Sequence, residues 1–349
     1  MNWNEIIFFT IFLAFIGLMM YIDLGVVGKN SHIISFKESI SWTIVWVTIS
    51  IIFYFILKLH GDWIHGIDTM ERLKYITKIH DHQIKIEGLD FETAIQIYRN
   101  NLSLEYITGY LIEYALSVDN VFVMILIFLA FGVQQKYYKR VLFWGIIGAI
   151  IMRFIFIFLS AALIQEFAWI LYVFGLLLIF TGVKMFITRN KEDKMETHKH
   201  PVVKFASKYF SVYPRYVKQN FFIRKAGKTY ITPLFIVLLV IEFTDVIFAV
   251  DSVPAIFSIT KDPYIVFFSN IFAIIGLRSL FFLLSNVMDK FHYLKVGLAA
   301  LLTFIGIKML IHDWLKEIGF TTAHSLYVVL AILVVSVLAS LAFPKKENV

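Results

Sequence analysis

Two carboxylates and an amide stand inside an apolar run. In EYALSVDNVFVMILIF (113–128), Glu113, Asp119 and Asn120 occupy places where a membrane-spanning helix would carry leucine. A second stretch, IEFTDVIFAVDSVP (241–254), holds Glu242, Asp245 and Asp251. A carboxylate at the centre of a membrane helix costs about 2.5–3.5 kcal/mol on insertion scales, so the five acids together cost about 10–15 kcal/mol before partners, protonation or shallower depth are counted. Arg153 and Arg278 also lie in apolar runs and can neutralise two of the five. The excess negative charge points to a bound cation or to protons.

Spacing sharpens this. Glu113, Ser117 and Asn120 follow one another at i, i+4 and i+7, on one helix face, with Asp119 beside it. Glu242 and Asp245 are at i and i+3, while Asp251 would point away in an ideal helix. Pro254 lacks an amide donor and its ring crowds the carbonyl of Val250, so a loosened turn is expected over 250–254. Such a turn would bring Asp251 back toward the site, next to Ser252, and free a backbone carbonyl as a further ligand. Glu113 and Asp119 are separated by about 9 Å along a straight helix, too far to grip one ion. Ligands must therefore converge from both stretches. Either Glu113 faces Asp251 and Asp119 faces Asp245, or Asp119 and Asp251 meet directly.

Oxygen donors without cysteine, of which the chain has none, favour hard cations such as Mn²⁺, Mg²⁺ or Ca²⁺ over Cu⁺ or Zn²⁺. Neither acidic stretch contains histidine. His60, His65, His80 and His82 occur with Asp62, Asp68 and Asp81 in a segment of mixed charge, which either samples metal outside or, the preferred reading, is a solvated loop. Ser269 and Asn270 either line the path or pack helices. Lys184 and Lys308 fall near span ends and are expected to snorkel, and Asp23 to be interfacial.

The elements that must position these groups are membrane helices. The chain is 59% apolar and only 16% charged, against about a quarter in soluble domains. Nine spans are expected near 6–26, 40–58, 106–131, 140–163, 167–188, 231–257, 264–287, 293–312 and 323–343. The start, MNWNE, has no basic residue, so the first run reads as a retained helix and not as a cleavable signal. The organisation expected is 1–58 as two helices, 59–105 as an extracytoplasmic linker, 106–188 as one three-helix unit, 189–230 as a basic cytoplasmic loop, 231–312 as a second unit, and 313–349 as a last helix and tail. Lys and Arg concentrate in 189–230, with others at Lys136, Lys139, Arg140, Lys290, Lys345 and Lys346. By the positive-inside rule the C-terminus is cytoplasmic and the N-terminus outside. The basic loop reads as a topology signal in contact with anionic lipid, not as a nucleic-acid site.

The two units repeat. IEYALSVDNV (112–121) aligns with TDVIFAVDSV (244–253), Arg153 has a counterpart in Arg278, and LLIFTGVKMFI (177–187) matches LLTFIGIKMLI (301–311). Three landmarks recur in one order, one per helix. Their first helices start on opposite sides, so the units are inverted, a recurrent plan of secondary transporters with a polar site near the midplane.

Several stretches closely resemble the TerC/Alx family of bacterial integral membrane proteins: TGYLIEYALSVDNVFV, RVLFWGIIGAIIMRF, TPLFIVLLVIEFTDVIFAVDSVPAIFSIT, DPYIVFFSNIFAIIGLRSLFFLL and DLGVVGK. The resemblance covers nearly the whole chain, with 59–102 less typical. It implies a LysE-like exporter of the inner membrane, associated with manganese efflux and named for tellurium resistance. The family motif falls on Glu113, Asp119 and Asn120, and on Glu242, Asp245 and Asp251. Alternating access is implied, with the divalent cation as cargo and no permanently bound cofactor. Exchange against protons is chemically open to desolvated carboxylates.

An intramembrane aspartyl protease would need GxGD near Asp251, where the chain reads AVDSVP, and HExxH is absent. No enzyme activity is expected. The remaining rival is a membrane scaffold or a tellurite or pH stress factor without transport of its own.

Overall fold

The structure, a computed structural model, describes residues 3–25, 35–167, 169–188, 203, 208–225, 227–285 and 293–343. Its helices are α1 Trp3–Gly25, α2 Phe36–His60, α3 Met70–Ile79, α4 Phe91–Ala130, α5 Tyr138–Glu166, α6 Ile170–Thr188, α7 Pro233–Phe257, α8 Pro263–Ser285, α9 Leu294–Leu310, α10 His312–Glu317 and α11 Thr322–Ala342. A hairpin of β1 Phe222–Lys225 and β2 Lys228–Ile231 precedes α7, antiparallel in register Phe222↔Ile231.

Helix α8 is apolar on every side and therefore has no face to offer water. Nearly all of it is buried, and α2, α4 and α5 pack around it. Phenylalanines drive the approach of α1 and α2: Phe12 lies 4.5 Å from Phe268 between ring centroids, and Phe53 lies 4.9 Å from Phe272. Six helices are long and apolar enough to cross a membrane among the described residues: Trp3–Ile22, Phe36–Trp63, Gln135–Ile164, Pro233–Phe257, Pro263–Ser285 and His324–Ala342. Gly175–Thr188 and Val296–Leu310 are shorter apolar helices, below the roughly 20 residues a bilayer core requires. The stretch expected as span three is the second part of α4.

Helix α4 is longer than the apolar pattern suggests. Asp90 caps it, its carboxylate accepting the Thr93 amide at 3.0 Å and its carbonyl the Ala94 amide at 3.0 Å. Forty residues give a rod of about 60 Å, twice the thickness of a bilayer core. Its first part joins α3 and the 3₁₀ turn Gly61–Trp63 in a folded cap at one end of the bundle.

Contacts fix the relative directions. Phe128 meets Phe281 and Tyr106 meets Phe272, so α4 and α8 run parallel. Glu105 meets Thr260 and Gly109 meets Ile256, so α4 and α7 run antiparallel. Helices α6 and α9 also run antiparallel: Gly175 abuts Gly306, and Gly182 abuts Ala299. Each glycine there lets a neighbouring backbone come closer than a side chain would permit. Pro254 does not break α7, which stays helical to Phe257. The loosened turn expected over 250–254 is therefore not found; Ala249 and Val253, both fully buried, hold the segment in its helical packing.

Candidate functional site

Four helices bring polar groups of both acidic stretches to one point, and Arg153 of α5 is at its centre. The guanidinium is wholly buried. Its Nη1 donates to Glu113 of α4, to Asn270 Oδ1 of α8 at 2.6 Å and to Ser252 Oγ of α7 at 3.4 Å. Its Nη2 donates to Asp245 Oδ1 of α7 at 3.3 Å. Asn270 Nδ2 closes the ring by donating to Glu113 Oε2 at 3.1 Å. Two carboxyl groups thus share one guanidinium.

The site is not saturated. Asp245 Oδ2, Ser117 Oγ, Asn120 Nδ2 and Arg153 Nε are buried without a hydrogen-bond partner among the described residues. Each such group costs about 1–3 kcal/mol. Asp245 also borders a small cavity with Met124, Gly145 and Ile241.

Of the acids singled out in the sequence, Glu113 and Asp245 meet through a shared arginine. That is a third pairing, beyond the two the spacing allowed, because Arg153 reaches both α4 and α7. The side chains of Asp119, Asp251 and Asp23 lie outside the described residues. Glu242 sits apart from the Arg153 contacts, half-buried where a Cβ on Gly148 of α5 would stand. Arg278, also buried, lines a small cavity with Met20, Phe143 and Ile275. Ser269 is buried and donates to the Val266 carbonyl at 3.0 Å, a helix-internal contact.

This arrangement of α4, α5, α7 and α8 falls within a family. A family description, integral membrane protein TerC family, matches residues 98–348. The chain belongs to the TerC family. It is 40% identical over 330 residues to a membrane protein of Myxococcus xanthus, STKORF319, covering 95% of this chain and 90% of that one. It is 42% identical over 304 residues to a Salmonella typhi protein described as a proposed membrane-bound redox modulator, Alx, covering 87% and 85%. The Alx of Escherichia coli (strain K12) is 41% identical over 326 residues, covering 93% and 91%. No solved structure matches. The TerC match takes in every residue of the Arg153 site and begins after the cap residues 61–90.

Two expectations need correction. Lys308 does not snorkel: it is buried, and its Nζ donates to the Ser258 carbonyl at 2.8 Å, at the C-terminal end of α7 where a cation is favoured. Its repeat counterpart Lys184 is exposed. The histidines do not lie in a solvated loop either. His65, His80 and His82 are all buried, while His60 and Asp68 are exposed. The reason is long-range: Asp262, in the α7–α8 turn, accepts from His65 Nε2 at 2.8 Å, and Glu105 of α4 pairs with His82 Nδ1 at 2.9 Å.

Charge settles in this cap. Burial opposes protonation of His65, but Asp262, with Glu5 behind it, outweighs burial and holds the pKa up to about 9. Burial likewise works against the charge on His82, and Glu105 overcomes it, raising the pKa. His80, with burial dominant, is pushed down. Burial works against ionisation of Asp262, yet His65 and the neighbouring imidazoles hold it well below the usual carboxylate range. Asp262 and Glu105 carried no signal in the sequence beyond being acids beside span ends.

Proposed function

We propose that this TerC-family protein is a transporter of the bacterial inner membrane that exports a divalent cation, with Mn²⁺ as cargo. The observation that carries the reading is the Arg153 site itself. Carboxyl groups from α4 and α7 are drawn together in a buried place, two acids to one guanidinium, and Asp245 Oδ2 and Ser117 Oγ have no hydrogen-bond partner among the described residues. A purely structural ion pair would be balanced, since burying charge without a partner is costly. Glu113 and Asp245 supply hard oxygen donors, Asn270 and Ser252 position Arg153, and Asp119, Asn120, Glu242 and Asp251 belong to the same motif.

Two inverted three-helix units supply the means of alternating access. The antiparallel course of α4 and α7 supports the inversion, and so does the reciprocal contact of α6 with α9. In the repeat alignment Gly182 corresponds to Gly306 and Gly175 to Ala299, so both glycine contacts are the same contact seen from either unit. That reciprocity is the mark of a two-fold relation. Nine spans, with the N-terminus outside and the C-terminus in the cytoplasm, follow from the hydropathy and the basic loops. In this reading Arg153 fills the site when no cation is bound and gives way when one enters. Protons are the natural counter-substrate of such carboxylates.

The redox role in the name of the Alx relatives has no thiol basis in a chain without cysteine. The test is Mn²⁺ uptake into proteoliposomes, with Ca²⁺ and Mg²⁺ in competition, with and without a pH gradient. Mn²⁺ flux lost in Glu113→Gln and Asp119→Asn is the expected result. No divalent flux under any gradient, with normal metal handling in cells carrying Asp119→Asn, would leave the scaffold or stress-factor reading.

A further inference from the structure

The cap holds a second constellation that the transport reading does not use. His65, just after the 3₁₀ turn Gly61–Trp63, His80, just after α3, and Asp262, in the α7–α8 turn, each offer one ligand atom, and these atoms all lie within 4.8 Å of one another. All three residues are buried, His65 and Asp262 completely. Three segments supply one donor each, Asp262 from far along the chain.

The surroundings orient these donors as a metal site requires. Glu5 of α1 holds His65 Nδ1 at 3.3 Å, which leaves Nε2 directed at Asp262 Oδ2. A carboxylate behind a ligating imidazole is the usual outer-shell partner. The amide of Tyr264 binds Asp262 Oδ1 at 2.9 Å, fixing that carboxylate with Oδ2 turned to the histidines. His80 Nδ1 is buried and has no hydrogen-bond partner among the described residues. The His80 ring lies 5.1 Å from that of His65, and His82, with Nε2 equally without a partner, lies 5.9 Å beyond.

We propose that His65, His80 and Asp262 form a divalent-metal site in the cap, separate from the intramembrane carboxylates and selective for nitrogen-preferring ions of the Zn²⁺ class. Two imidazoles and one carboxylate match the donor set of Zn²⁺ or Co²⁺, and by ligand softness and the order of divalent affinities bind Mn²⁺ more weakly and Ca²⁺ or Mg²⁺ hardly at all. The ion takes the place of the proton between His65 and Asp262 and ties the segment after the 3₁₀ turn, the end of α3 and the α7–α8 turn together. This inference stands on residues outside the transport site and survives or fails independently of it.

The experiment is equilibrium dialysis of Zn²⁺ against the purified full-length protein in detergent, with metal counted by mass spectrometry. Glu113→Gln serves as the background, so that the intramembrane site does not contribute. One Zn²⁺ per chain is expected, its affinity falling at least tenfold in His80→Ala and tenfold or more in Asp262→Asn, with Mn²⁺ a poor competitor. Asp262→Asn is nearly isosteric and still accepts the Tyr264 amide, so it decides the matter if His80→Ala does not fold. Unchanged Zn²⁺ affinity in either folded variant, or no Zn²⁺ held by the Glu113→Gln protein, overturns the proposal.

Discussion

Gly175 and Gly306 face each other across the α6–α9 contact, and each would place a Cβ within 3.0 Å of the other's carbonyl oxygen. The nearest obstructing atom at each glycine is a backbone oxygen, which cannot yield as the end of a flexible side chain can. Gly175→Val or Gly306→Val is therefore expected to push the two helices apart and lower the melting temperature by several degrees, the size of effect that about 2 kcal/mol has in a chain this long. Gly276→Ala, where a Cβ meets nothing closer than 3.7 Å, should leave it unchanged. Thermal unfolding in detergent distinguishes the two; equal behaviour of both variants would contradict the packing described.

Arg153 is the partner of two buried carboxylates, so removing its charge strands both. Arg153→Gln should destabilise the protein by about 3–5 kcal/mol, the cost of an uncompensated buried charge. The double variant Arg153→Gln/Glu113→Gln should recover part of that loss. Absence of any recovery would mean that Glu113 and Arg153 are not energetically coupled.

Gly148 gives Glu242 its place. Gly148→Ala should displace that carboxylate without unfolding α5, since alanine is the better helix former by about 1 kcal/mol. Proteoliposome Mn²⁺ flux is expected to fall about tenfold while the melting temperature holds. Full activity in this variant would remove Glu242 from the proposed transport path.

The cap makes stability depend on pH in a direction that can be worked out. The folded-state pKa of His65 is raised from 6.5 to about 9. Its contribution is thus complete below about pH 6.5 and lost as pH rises through about 9. Asp262 is depressed, so its contribution is present above its ordinary value of 3.8 and lost only as pH falls below that. His80, pushed down, works the opposite way and loses its contribution as pH falls below its ordinary value of 6.5, so in the presence of a chelator the melting temperature should be highest at about pH 6.5 and decline toward pH 9.5. His65→Gln should flatten the alkaline decline; an undiminished slope would place its origin elsewhere.

Much of the intramembrane site can be read from residue types alone. An acid, an arginine and an asparagine inside apolar runs have little choice but to find one another, and Glu113, Arg153, Asp245 and Asn270 do. Which acids share a partner was not readable, because it depends on how far α5 inserts between α4 and α7. The cap was misread for a related reason. Short polar segments carry no periodic pattern, and the burial of His65 depends on Asp262, 197 residues away. Lys308 misled in the opposite way: its position near a span end is right, but the α7 C-terminus beside it supplies a carbonyl that lipid would not.

Glu105, Gly109 and Glu113 follow at four-residue intervals along one face of α4. Glu105 belongs to the cap, through His82 and Thr260, and Glu113 to the Arg153 site. Gly109, between them, is where α4 bears directly on Ser269 of α8. One unbroken helix therefore carries a carboxylate of each place, so a shift of α4 that loosens the cap is felt at the Arg153 site as well.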